Sequence, residues 1–424
     1  MTAKKFLFKN FQPLKYFIFS LTCVVFAVML TSCEQNPTAP NEPPKPPGYQ
    51  EDIYWPSLAD SPWPMEHHDP QNTGRSQFSG PSKGIIEWKI EIPRYGSSDD
   101  TFLSAVNSFD STIYVVSSND VEYPYSFLYA INFSGNIKWK FPLPYDDEPT
   151  GENSTPAIVK SDGIIHTADR RGNVYAINSE GKLIWKVKLN GIVLGKMVVD
   201  KEGYLYCITQ FGLVYAISKE GSVIWELELP DAFAGNSSSV SCSPDGNTIY
   251  IATNRISAIS KSGLLLWETS EVSGAIYHSP LIDSKGNIYF YSDADSLHGF
   301  LSMDKNSITR YAYDDMFFVW ANPTMDRNGN IYIANEPDII SLDYNGNLRW
   351  RLTNVFYGSS ISCDKDGRVY FVDGLGTLKC IDSEGQVIWE IPNIGRAYES
   401  LTIANNKLYF GAISDSRKYF YCIK

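Results

Sequence analysis

Apolar and polar residues alternate in short runs along most of the chain, and the runs come in pairs. Val174 to Trp185 reads VYAINSEGKLIW: an alternating run, a polar turn closing on Gly181, and a second run that carries tryptophan. Alternation predicts half-buried strands. Glycine just before the second strand suits the left-handed position of a hairpin bulge, where a Cβ costs energy. The same hairpin ends at Trp139, Trp225, Trp267, Trp350 and Trp389. Trp139, Trp185, Trp225 and Trp267 are 46, 40 and 42 residues apart, and Trp350 and Trp389 are 39 apart. A degenerate copy, LHGFLSMDKNSITRYAY, lies in the gap from Trp267 to Trp350, with Tyr311 in the tryptophan position and the turn glycine lost.

One repeat divides into four strands, at 154–159, 164–169, 174–178 and 182–189. The first hairpin recurs as MVVDKEGYLYCI, VSCSPDGNTIYIA, LIDSKGNIYFY, TMDRNGNIYIA and ISCDKDGRVYFV, with strong Asp-Gly and Asn-Gly turn signals. A period near 40 with four strands per unit predicts a β-propeller. The ends fix the blade count. Residues 84–92 form a tryptophan-bearing outer strand (Trp88) with no inner hairpin before it, and 418–424 form a third strand with no fourth after it. Sharing the last blade between the termini gives an all-β, eight-bladed propeller of four-stranded antiparallel blades over 84–424, with no exposed sheet edge at the seam.

The run from Ala176 to Trp185 resembles the tryptophan-docking motif of pyrroloquinoline-quinone-type propellers, with Asn or Ser in place of the family's Asp and no Thr before the Gly. Trp63 to Ser76, WPMEHHDPQNTGRS, is similar to the lead-in such propellers carry, so 55–83 is expected to pack on the propeller. The resemblance implies a fold more than a function. It gives Trp88, Trp139, Trp185, Trp225, Trp267, Trp350 and Trp389 the role of docking blade to blade.

The N-terminus changes the picture of location. A lysine-bearing stretch, an apolar run and Leu30-Thr31-Ser32-Cys33 form a secretory signal over 1–32, too short in its apolar part for a membrane span. The last four residues resemble a bacterial lipobox, which implies a lipid on Cys33, and Glu34 favours outer-membrane sorting. Residues 33–54 then read as a lipidated tether, since six prolines in 34–49 prefer extended polyproline II. The formal charge of −12 speaks against a nucleic-acid partner. Seven cysteines include Cys23 in the signal and Cys33; Cys207, Cys242, Cys363, Cys380 and Cys422 read as small buried residues in the blades, with disulfides left open.

Candidate chemistry is sparse. There is no Cys-Cys pair of the kind that quinone-dependent alcohol dehydrogenases carry, and no P-loop, G-x-S-x-G or H-E-x-x-H motif. His67-His68-Asp69 is read as an anchor for an extended lead-in rather than a metal site, and the Asp-rich turns as hairpins rather than calcium loops. No catalytic residue, metal, quinone or calcium is expected. What remains is the channel mouth, where residues entering each innermost strand gather: Asn153, Lys196, Tyr277, His278, Trp320, Asn322, Tyr357, Ser359, Tyr398 and Glu399. Asn153, Tyr277, His278, Trp320, Asn322, Tyr357 and Tyr398 are the expected ligand- or partner-binding rim, as aromatics beside hydrogen-bonding groups suit recognition. The expected protein is a monomeric, lipid-anchored envelope propeller that binds a protein partner without catalysis, similar to the propeller lipoproteins of outer-membrane β-barrel assembly. A saccharide-type binder using the funnel and a quinone-dependent dehydrogenase are the alternatives.

Overall fold

The computed structural model describes residues 44–92, 104–117, 126–143, 155–169, 171–230, 239–270, 278–294, 297–316, 319, 321–356 and 358–424. Its strands form eight four-stranded antiparallel sheets arranged as the blades of a propeller. Numbered from the first complete blade, they run 106–143, 158–188, 193–228, 239–268, 281–313, 324–352 and 362–391. The eighth joins Thr402–Ala404, Lys407–Ser414 and Arg417–Ile423 to the early strand Ile86–Ile92. Trp88 pairs with Cys422, and the amide of Lys424 donates to Ile85 O, so the two ends close the ring as expected.

Inner strands are mostly apolar and buried, as in Leu213–Ile217, whereas outer strands alternate in exposure, as in Leu183–Lys188. This gradient explains the pattern in the sequence: an inner strand is covered on both faces by neighbouring blades, an outer strand only partly. The third-to-fourth strand hairpins carry the anticipated bulge, for example between Ala176 and Ile177 opposite Trp185. Gly181 sits there at φ +79°. In the fifth blade Ser307 adopts φ +65° in its place.

Each tryptophan reaches into the next blade. The indole N–H of Trp139 donates to Ser179 O at 2.9 Å and that of Trp185 to Lys219 O at 3.0 Å. Trp88, Trp225, Trp267 and Trp350 bond in the same way to Phe133, Lys261, Lys305 and Ser383. The rings lie on the turn glycines: a Cβ at Gly221 would meet Trp185 at 2.6 Å, and Tyr311 covers Gly346 at 2.4 Å. Trp389 covers Gly84.

The Asp-bearing turns are held by amides and tyrosine. Asp364 Oδ1 accepts from Asp366 N and Arg368 N, and its Oδ2 from Tyr370 OH at 3.0 Å and Gly80 N at 2.9 Å. Asp200, Asp283 and Asp326 hold Tyr206, Tyr289 and Tyr332 in the same geometry. These carboxylates therefore spend their lone pairs on the hairpins. Cys207, Cys242, Cys363, Cys380 and Cys422 are buried free thiols, which settles the disulfide question for these five.

Candidate functional site

Antiparallel connectivity puts the entries to innermost strands on one face of the ring, with the turns between second and third strands. The turns between first and second strands lie on the opposite face. The lead-in occupies the second of these, and it does so through its backbone. The carbonyls of Trp63, Pro64, Pro70, Gln71, Thr73 and Gly74 accept from the amides of Asn107, Val159, Cys242, Ile282, Met325 and Cys363, at 2.7–3.0 Å. Those six amides belong to innermost strands, or their ends, in six different blades, so the lead-in plugs the channel. The third blade is engaged through Ser57 Oγ, which donates to Asp200 O.

Such a path needs a tightly wound chain. His67, His68, Asn72 and Gly74 all adopt positive φ, at 54°, 76°, 64° and 63°. Asp69 Oδ1 staples the loop by accepting from the amides of Gln71 and Thr73. The lead-in is thus coiled where an extended segment was expected around the two histidines. The anchoring role stands: His67 is fully buried with Nδ1 2.9 Å from Asn72 O, and His68 meets Trp63 edge-on at 5.3 Å. Burial, with Lys196 nearby, holds His67 down at about 3, so it is neutral.

Above this floor lies an ionisable cluster in which Glu66 and Lys196 are buried and Glu399 is half-buried. Glu66 comes from the lead-in, Lys196 from the third blade and Glu399 from the entry to the eighth. The two carboxyls are hydrogen-bonded. Burial, then the charge of Glu66, pushes Glu399 up to about 8. Glu66 is also raised by burial, against the pull of Lys196. Burial brings Lys196 down to about 8 despite both Glu66 and Asp69. At neutral pH the carboxyl pair thus holds a proton.

The entry face bears the more open surface. Phe356, Leu375, Arg396 and Tyr398 surround a cavity of about 390 Å³ between blades 7 and 8, with Glu336 and Asp373 at its edge. A second hollow of about 740 Å³ lies against Leu375, Arg396, Tyr398 and the 413–416 turn. Leu375 is 76% exposed and Phe356 48% exposed, so two apolar side chains stand in water beside a guanidinium. Their support is rigid. Leu375 sits on a turn whose amides bond to Asp373 Oδ1, and Arg396 pairs its backbone with Ile413 in both directions. Gly358 lets the wall close, since a Cβ there would lie 1.7 Å from Val372 O.

Of the expected rim, Asn153, Tyr277, Trp320 and Tyr357 lie outside the described residues, as does Cys33. Tyr398 lines both hollows. His278 is buried, with Nε2 accepting from Tyr291 N at 3.0 Å, and Asn322 Oδ1 accepts from Ser279 N at 2.8 Å. His278 thus braces its own fifth blade and Asn322 the seam between blades 5 and 6, both apart from Tyr398. Leu375, Phe356 and Arg396 were not picked out by sequence reasoning, although an apolar residue inside the Gly374-Leu375-Gly376 turn is a legible oddity. Among the described residues no group of three or more His, Cys, Asp or Glu is placed to hold a metal.

A family model described as "Outer membrane protein assembly factor BamB" matches residues 124–306. No curated protein matches the chain. Among solved structures, BamB from Moraxella catarrhalis superposes with a TM-score of 0.60 at 16% identity, over 80% of this chain and 100% of that one. A europium-containing methanol dehydrogenase gives 0.63 at 14%, over 84% and 90%. A quinohemoprotein alcohol dehydrogenase from Comamonas testosteroni gives 0.61 at 13%, over 85% and 80%. With its eight closed blades and tryptophan-on-glycine seams, the chain is an eight-bladed propeller similar in fold to BamB and to the quinone-type dehydrogenases.

Proposed function

We propose that this protein is a non-catalytic binding module of the bacterial cell envelope that docks a protein partner on the entry face of blades 7 and 8. The observation that carries the reading is the pair of exposed apolar side chains, Leu375 and Phe356, beside Arg396 and Tyr398 over hollows of about 390 and 740 Å³. Folding does not require Leu375 in water, and an apolar patch next to an arginine is the composition of an interface centre. A partner that offers an apolar side chain next to a carboxylate matches it. The likeness to an assembly factor supports a protein-binding role.

A lipid on Cys33 and the proline-rich tether give the module its place, at the outer membrane. Labelled fatty acid entering the wild-type chain and absent from Cys33→Ala tests the anchor.

Dehydrogenases share the fold, and the reading as a binding module rests on the exposed surface around Leu375 and Phe356.

The experiment is affinity purification from mildly solubilised native envelopes, comparing wild type with Leu375→Asp. Enrichment of one envelope protein by wild type and its loss with the variant is expected. Equal recovery by both would remove this surface from the account.

A further inference from the structure

The opposite face carries a concavity that the partner-binding reading leaves unused. Between the lead-in and the first-to-second strand turns of blades 1 and 2 lies a cavity of about 570 Å³. That is within the range of roughly 300–1,000 Å³ typical of small-ligand clefts. Tyr54, Phe78 and Phe109 line it, exposed by 77%, 44% and 63%. Burial does not account for these rings. Trp55 and Trp63, on the same segment, are packed to 6% and 0% exposure, so the lead-in has already buried the aromatics that hold it.

The polar groups between the rings narrow the ligand. Asp60, Gln77 and Ser161 are exposed at the cavity, with Asp52, His68, Asp69 and Arg75 also in its lining. At the cavity the Pro64 and Gln71 carbonyls already accept from Val159 and Ile282, and the Ala59 amide donates to Val159 O. A peptide added as a strand therefore finds no edge to pair with. What the groove offers is ring faces beside planar carboxylate and amide groups. That combination recognises sugars, whose C–H faces stack on rings while neighbouring hydroxyls bond to planar acceptors and donors. Asp52 is paired with Arg75 and Arg327 and Asp69 with Gln71 and Thr73, so exposed Asp60 is the charge that faces the groove; on a chain of formal charge −12 it disfavours phosphorylated or acidic ligands.

We infer that this groove binds a short, uncharged oligosaccharide. The site is preorganised: Ala59 and Ser161 amides bond to Val159 O and Ser57 O, and the Phe78 carbonyl accepts from Lys365 N. Little ordering cost remains at binding. The site lies on the face away from Leu375 and Tyr398, and it stands whether or not a protein docks there.

The test uses the full chain in a zwitterionic, sugar-free detergent, since alkyl glycosides would compete. Calorimetric titrations would use cellotetraose, maltotetraose, tetra-N-acetylchitotetraose, tetragalacturonic acid and a proline-rich decapeptide. Saturable binding of at least one neutral tetrasaccharide is expected, weakened about tenfold or more by Tyr54→Ala or Phe109→Ala. Leu264→Ala, an exposed side chain of the fourth blade away from both surfaces, leaves it unchanged. Both ring deletions remove exposed side chains, and thermal midpoints matching wild type would show that the fold is kept. The inference is overturned if no neutral tetrasaccharide binds in the millimolar range. It is equally overturned if both ring deletions leave affinity unchanged, or if the acidic sugar or the peptide binds better.

Discussion

Trp389 lies on Gly84, a residue near the start of the propeller, and a Cβ there would stand 2.5 Å from the Trp389 ring. Seven further seams are made within the repeating part of the chain, but this one joins the two ends. Gly84→Ala is expected to destabilise by roughly 1–3 kcal/mol through overpacking. Because the seam holds the terminal strand Ile86–Ile92, hydrogen exchange should quicken in that strand first. Uniform quickening over all blades would show that Gly84 does not act through closure.

Strain and contact can be separated at two glycines with the same backbone. Gly163 and Gly181 both have φ +79°, yet a Cβ at Gly163 meets Phe109 at 3.6 Å, whereas at Gly181 it meets Trp139 at 2.7 Å. Gly163→Ala should cost about 1–2 kcal/mol from the left-handed backbone alone. Gly181→Ala should cost roughly 2–4 kcal/mol, because the indole must also move. Equal losses in denaturant melts would mean that the ring does not press on the turn.

The converse change should stabilise. Ser307 holds φ +65° where the other repeats have glycine. Ser307→Gly relieves the left-handed penalty and returns part of it as unfolded-chain entropy, leaving a gain of roughly 0.5–1 kcal/mol. A lower thermal midpoint would contradict this.

The proton in the channel gives a pH signature. Glu399 titrates at about 8 in the folded chain against an ordinary 4.5, so the native state holds more protons than the unfolded one between those values. Its contribution is fully present below about 4.5 and is lost as pH rises through about 8. Lys196, lowered to about 8 from 10.5, acts in the opposite sense above pH 8. Thermal midpoints of wild type should therefore fall from pH 5 to 8 relative to Glu399→Gln, which carries no such proton. Parallel curves would place the proton elsewhere.

The fold was legible because it repeats. The spacing of Trp139, Trp185 and Trp225, the turn glycines and the unmatched strands at the two ends already required a closed ring of eight, and the structure has it. The site was less legible. The plug acts through the carbonyls of residues such as Pro64 and Gln71, which no side-chain motif marks. Glu66 and Glu399 are 333 positions apart and meet only because the lead-in coils through left-handed His67 and His68, a conformation that few sequences announce. His278, singled out as an aromatic-like polar residue at a strand entry, turns inward because its Nε2 completes the amide of Tyr291. Leu375 stood in plain view within a glycine-flanked turn. Its meaning depended on Phe356 and Arg396 arriving beside it from other loops.

The docking surface itself can be read in native membranes by placing a photo-crosslinking amino acid at position 375 and, separately, at position 109 on the opposite face. The account predicts a discrete protein adduct from position 375, absent from position 109 and abolished by a second change, Phe356→Asp. No adduct from position 375, or the same adducts from both positions, would contradict the assignment of this face as the partner-binding surface.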